Sequence, residues 1–155
     1  TAIPLTAWMS GLMERPTPIT NSASGSATFS VEGNTLVFNV RYAGLSGTAT
    51  GAHIHGVSSA AQSAGVMINL APFNGGAFGV SGTLSGRVTL TSAQKTAILS
   101  GSTYVNVHTA ANSGGEIRGQ IAPVAWRSST TPTRRRAGRT RSRSSPSGTS
   151  SGTWT

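Results

Sequence analysis

Ala27-Thr28-Phe29-Ser30-Val31-Glu32-Gly33-Asn34-Thr35-Leu36-Val37-Phe38-Asn39-Val40-Arg41-Tyr42 decides the fold class. Ala27, Phe29 and Val31 recur with period two, the spacing that puts side chains on one face of a strand. After Glu32-Gly33-Asn34, a tight-turn signal, Leu36, Phe38, Val40 and Tyr42 take one face, and Val37, Asn39 and Arg41 take the other. Two alternating runs around a short glycine turn predict an antiparallel β-hairpin.

The same alternation extends in both directions. Residues 1–13, with Ile3, Leu5, Trp8 and Met9, predict a first strand, and Trp8 and Phe38 read as core packing. Glu14-Arg15-Pro16-Thr17-Pro18 breaks it, because proline lacks a donor and restricts its predecessor. Downstream, further strands are expected at His53–His55, at Val66–Leu70 with Val66, Ile68 and Leu70 inward, and around Leu84, Val88 and Leu90. Thr91 to Gly101 is the one helix candidate, with Thr91 or Ser92 as N-cap and Gly101 as a left-handed stop. The last pair, 103–108 and 116–121, is joined by Thr109 to Gly115. Evenly spaced strands with one short helix predict an all-β fold, an antiparallel β-sandwich or Greek-key-like barrel.

If the last two strands pair symmetrically about their loop, His108 sits opposite Glu116, Asn106 opposite Arg118 and Tyr104 opposite Gln120. Val105, Val107, Ile117 and Ile121 then turn inward together. The other side becomes an outward polar face, on which Glu116 and Arg118 read as an exposed ion pair.

Composition excludes several chemistries. Glu14, Glu32 and Glu116 are the only acids, Asp and Cys are absent, and the glutamates are far apart in sequence. A two-carboxylate glycosidase, a Ser-His-Asp triad and an oxygen-rich Ca²⁺ or Mg²⁺ cage all lack their residues. Only 36% of residues are apolar and 20 are glycine, which with abundant Ser and Thr suits turn-rich β structure. No apolar run is long enough to span a membrane as a helix. A start at Thr1 without methionine fits a removed leader.

The net charge of +9 is unevenly placed: seven of the twelve cations are arginines between Arg127 and Arg143. Residues 1–125 therefore read as the folded domain, and 126–155 as a basic Arg/Ser/Thr-rich low-complexity tail too poor in apolar groups to offset chain entropy. Such a tail suits an anionic surface or polysaccharide. Nucleic acid is disfavoured, because no aromatic residues are interleaved to stack bases.

All three histidines fall in two short strands, at His53, His55 and His108. His53 and His55, at i and i+2, share a face, and His108 shares one with Tyr104 and Asn106. Two imidazoles on one strand and a third on a neighbour form a workable set for one transition-metal ion. Nitrogen ligation without thiolate or carboxylate points to copper or zinc. Asn106, Glu116 and Arg118 are the candidate outer residues, with Asn106 or Glu116 orienting His108 through its second nitrogen. Met67 is a candidate soft ligand. The competing reading makes the histidines structural, hydrogen-bonded to loop carbonyls.

Three blocks carry a family resemblance: Gly51-Ala52-His53-Ile54-His55-Gly56, the run from Leu99 through Tyr104-Val105-Asn106-Val107-His108, and Gly114-Gly115-Glu116-Ile117-Arg118-Gly119-Gln120. Together they resemble the CHRD domain, named for its repeats in chordin and found as single domains in secreted microbial proteins. Leu12 to Pro18 with Ala23 to Phe29 resembles the family's opening pattern, with Thr17 displacing the second proline. The resemblance spans residues 5–122 and implies a secreted, extracellular β-sandwich module with protein, polysaccharide or surface partners. The resulting expectation is a binding or structural module with a three-histidine copper or zinc site. Its rivals are a small copper redox enzyme, dismutase- or oxidase-like, and a metal-free matrix or filament subunit that self-assembles. The reading favours a non-enzyme.

Overall fold

The hairpin read from the sequence forms β2 (Ser24–Glu32) and β3 (Thr35–Ala43) in the computed structural model, which describes residues 1–125. The basic segment 126–155 lies outside the described residues. Phe29 pairs with Phe38 and Val31 with Leu36 across an unbroken antiparallel ladder. Gly33 turns the chain with φ 58°, a left-handed value that glycine adopts without penalty.

The remaining strands are β1 (Ile3–Ser10), β4 (Ala49–Gly56), β5 (Val66–Asn69), β6 (Gly82–Thr89), β7 (Thr103–Thr109) and β8 (Ile117–Pro123). All pair antiparallel in one eight-stranded sheet of order β5-β4-β7-β8-β1-β2-β3-β6. The sheet curls into a half-barrel, so the fold is the expected all-β architecture with a single short helix. That helix, α1 (Ser92–Leu99), starts with a capping box. Thr91 accepts from the Gln94 amide, and the Gln94 side chain accepts from the Thr91 amide. Gly101 stops it at φ 75°, and Ala97 and Ile98 bury against the strands.

Alternation places the core inside the curl. Leu5, Phe29, Val31, Leu36, Val40, Ile54, Leu84, Val105, Val107, Ile117 and Ile121 are all buried there. Each fully buried aliphatic side chain contributes roughly 1.5–3 kcal/mol of transfer free energy. Two expectations fail. Trp8 is 68% exposed, because the inward residues of β1 are Leu5, Ala7 and Met9, which leaves Trp8 on the outer face. Val66 is also exposed, since it opens β5, a short strand at the edge of the sheet.

The polar outer face of β7 departs most from the sequence reading. All seven residues of β7 are buried, so it is covered on both sides. Segment 57–65 lies over its polar face. The Ser58 amide donates to the Ser102 carbonyl, Gln120 donates to the Ser58 carbonyl, and Arg118 donates to the Ser59 carbonyl at 2.9 Å. The histidine face is an enclosed polar layer rather than an outward surface.

Candidate metal centre

Antiparallel pairing of β4 with β7 brings the histidines together. His53 lies opposite Asn106, His55 opposite Tyr104 and His108 opposite Gly51. His108 is therefore diagonal to His53, and the missing side chain at Gly51 leaves open the space beside the His53 ring. A Cβ there would sit 3.6 Å from His53 Cε1. The ligand atoms of the three imidazoles all lie within 4.8 Å of one another. His55 and His108 are nearly enclosed, while His53 keeps partial access to water.

Backbone carbonyls set two of the rings. His108 Nδ1 donates to the Ser113 carbonyl at 2.9 Å, which leaves Nε2 unprotonated and 2.8 Å from His53 Nδ1. Both nitrogens of His55 face oxygens: Nδ1 lies 2.9 Å from the Ala64 carbonyl, and Nε2 lies 2.9 Å from Asn106 Oδ1. A ligating histidine ordinarily gives its second N–H to a carbonyl or carboxylate in this way, fixing the tautomer and the ring plane. The carbonyl acceptors at 64 and 113 were not foreseen from sequence; backbone atoms in small-residue loops leave no residue-type signal. The Ser113 carbonyl takes the orienting role assigned beforehand to Glu116 or Asn106.

Charge in the layer is tuned by enclosure. Burial, reinforced by the neighbouring His108 and His55, pulls the His53 imidazole down to about 4. Burial also lowers His108, partly offset by its bond to the Ser113 carbonyl. Both rings are then neutral at pH 7, the form that offers a lone pair to a cation.

The outer residues divide into separate arrangements. Tyr104 stacks on His55, with ring centroids 4.8 Å apart and planes 7° from parallel, and the Arg118 guanidinium lies 3.4 Å over the Tyr104 ring. Glu116 is wholly buried, yet it does not pair with Arg118 as the sequence reading had it. Its carboxylate accepts from the Ser46 amide at 2.8 Å, the Ser46 hydroxyl, Thr109 at 3.0 Å and Asn112 at 3.0 Å. Burial raises its pKa, but these hydrogen bonds outweigh that and hold it below the usual carboxylate range. Glu116 thus anchors the 109–115 loop that carries the Ser113 carbonyl. Met67 packs against the core beside Gly56.

Glu14, a residue given no role from sequence, closes the layer from the turn after β1. It is buried, its Oε1 has no hydrogen-bond partner, and burial pushes its carboxyl up to about 7 against the pull of Arg118. Gly115, with φ 126°, admits it: a Cβ there would lie 2.7 Å from Asn106 Nδ2 and closer still to Glu14. Two signals in the sequence draw attention to Glu14: the scarcity of acids in the chain and its place in the Leu12–Pro18 opening pattern.

A donor set of three imidazoles with no thiolate or carboxylate suits copper or zinc rather than calcium or magnesium. Tetrahedral ligands at about 2.0–2.1 Å from an ion stand roughly 3.3 Å apart, so the 2.8 Å His53–His108 pair would open and the widest separation would close around it.

No curated protein and no solved structure matches the chain. The family model described as the CHRD domain matches residues 5–121, which include the histidine strands and the Glu116 loop. The chain belongs to the CHRD domain family.

Proposed function

We propose that this domain is an extracellular binding or structural module whose His53, His55 and His108 hold one copper or zinc ion. Family membership suggests a binding or structural module, and the family is typically extracellular. No described helix is long and apolar enough to cross a membrane. The observation that carries the metal reading is the convergence of three imidazoles within 4.8 Å, two with Nδ1 already committed to carbonyls. Bound zinc would cross-link β4 to β7, and bound copper would add one-electron chemistry. Asn106, Glu116 and Arg118 support the cluster through His55, the 109–115 loop and Tyr104 respectively.

The test is metal analysis of protein exposed to Cu²⁺ or Zn²⁺ and then dialysed, beside His53→Ala, His55→Ala and His108→Ala. One equivalent per chain, lost in each folded variant, is the expected result. Metal-free wild type, or retention in all three variants, refutes the reading. Turnover of superoxide or a phenolic reductant by the copper-loaded sample would move the assignment to a redox enzyme.

The two open edges of the half-barrel, β5 and β6, favour a second reading, self-assembly through strand addition. Concentration-dependent gel filtration tests it.

A further inference from the structure

Among the described residues, the outer face of the sheet is roofed over β4, β7 and β8 but bare over β1, β2, β3 and β6. Strand register sets the bare side chains in rows. Trp8, Ser26, Arg41 and Thr83 form one row, and Thr28, Asn39 and Ser85 lie in the next. Arg87 stands one row further on, beside Val37. Shallow grooves of about 330, 410 and 470 Å³ run together here, sharing Ser26 and Arg41 at one junction and Thr28 and Asn39 at the other.

Three features of this face point to one class of partner. Trp8, 68% exposed, presents an indole that no other described residue covers, a flat platform with an apolar body. Arg41 and Arg87 are exposed, and neither guanidinium makes a hydrogen bond or ion pair among the described residues. Of the three acids, Glu14 and Glu116 are buried in the histidine layer, and Glu32 sits at the hairpin end two strands from Arg87. The face is therefore cationic, and hydroxyl and amide groups fill the space between its charges.

Ladder geometry puts Trp8 about 10 Å from Arg41, and Arg41 about 14 Å from Arg87. An unroofed groove of that reach suits an extended polymer rather than an enclosed small molecule. A protein partner would need an apolar centre, which Trp8 and Val37 alone do not supply. A nucleic acid would call for denser cations and more stacking rings. We propose that this face binds a linear acidic polysaccharide, with a sugar ring stacked on Trp8 and its carboxylates or sulfates paired with Arg41 and Arg87 through charge-assisted hydrogen bonds. The proposal is independent of the histidine site.

Affinity electrophoresis of the full chain tests it, in gels containing polygalacturonate, dextran sulfate or neutral dextran. At least one acidic polymer should retard the protein far more than dextran, and the stronger of the two identifies the anion. Trp8→Ala, Arg41→Ala and Arg87→Ala should each weaken that retardation about fivefold, equivalent to about 1 kcal/mol, with unchanged melting temperature. Lys95→Ala removes the same charge from α1 and should change it less than twofold. Equal losses for Lys95→Ala and Arg41→Ala would mean general charge attraction, to which the arginines from Arg127 onward contribute, and would overturn the proposal. So would an unaffected Trp8→Ala, or duplex DNA bound through the same three residues in preference to either polysaccharide.

Discussion

Replacing Glu116 by Gln keeps the side chain's shape and removes its charge, which makes the cost of this buried acid calculable. The carboxylate is met by four donors: the Ser46 amide, the Ser46 hydroxyl, Thr109 and Asn112. Glutamine offers one acceptor oxygen, and its amide must face either the Ser46 N–H or the Asn112 amide, leaving a donor without an acceptor. Loss of charge assistance costs about 1 kcal/mol for each bond that survives, and the stranded donor costs about 1–3 kcal/mol. With three bonds surviving, the terms sum to about 4–6 kcal/mol; Ser46 is near solvent, which sets the total at the low end, about 4 kcal/mol, or on the order of 10 °C of melting temperature for a domain of this size. The pH dependence fixes the cause. Glu116 titrates lower in the folded than in the unfolded chain. Its contribution is complete above the unfolded-state value of about 4.3 and is lost as pH falls through the folded value. The gap between wild type and E116Q in urea midpoint should therefore be full at pH 7 and shrink below about pH 4. A loss under about 1 kcal/mol, or a gap that stays constant down to pH 3, would refute this account of the loop.

Three other predictions follow from single contacts. The imidazoles of His53, down to about 4, and His108 bind protons less readily folded than unfolded, so the metal-free domain should lose stability as pH falls from about 6.5 toward 4. Partial exposure of His53 limits its share to on the order of 1 kcal/mol, and urea midpoints should show a flatter slope in His53→Ala. At Gly119 a Cβ would fall onto the Trp8 carbonyl and lie 2.7 Å from its carbon, so Gly119→Ala should lower stability by about 2–4 kcal/mol or prevent folding. Gly47→Ala, which meets open space, should stay within about 0.5 kcal/mol in the same thermal melt. Thr91→Ala removes the capping box of α1 and should cost about 1 kcal/mol, read as a downward shift of the melting temperature.

Much of this was legible because a strand's period is two. Symmetric pairing of the last hairpin correctly put Asn106 opposite Arg118 and Tyr104 opposite Gln120, since a slip of one residue would have turned Val105 and Val107 out of the core. The same rule grouped His53 with His55. Alternation says which residues share a face and nothing about what covers it. That is why the histidines were expected on an outward surface, when segment 57–65 encloses them with small residues and backbone bonds. Glu116 and Arg118 were read as a pair for the same reason; each had a nearer partner on an element the period cannot locate. At Trp8-Met9 two apolar residues in succession hide the phase of β1, and the larger one proves to be outside. Family resemblance located the histidine blocks and set Glu14 within the opening Leu12–Pro18 pattern, but it assigned that acid no role.

β1 is hydrogen-bonded on one side to β2, its neighbour in the chain, and on the other to β8, where Leu5 meets Pro123 and Thr6 meets Ala122. During synthesis the amino-terminal meander of β1, β2 and β3 can close long before its other flank exists. For that interval β1 presents a bare row of amides and carbonyls to any chain nearby. Such remote closure favours slow folding, and it makes the arrival of residues 117–123 the event that closes the β1 edge to intermolecular strand exchange.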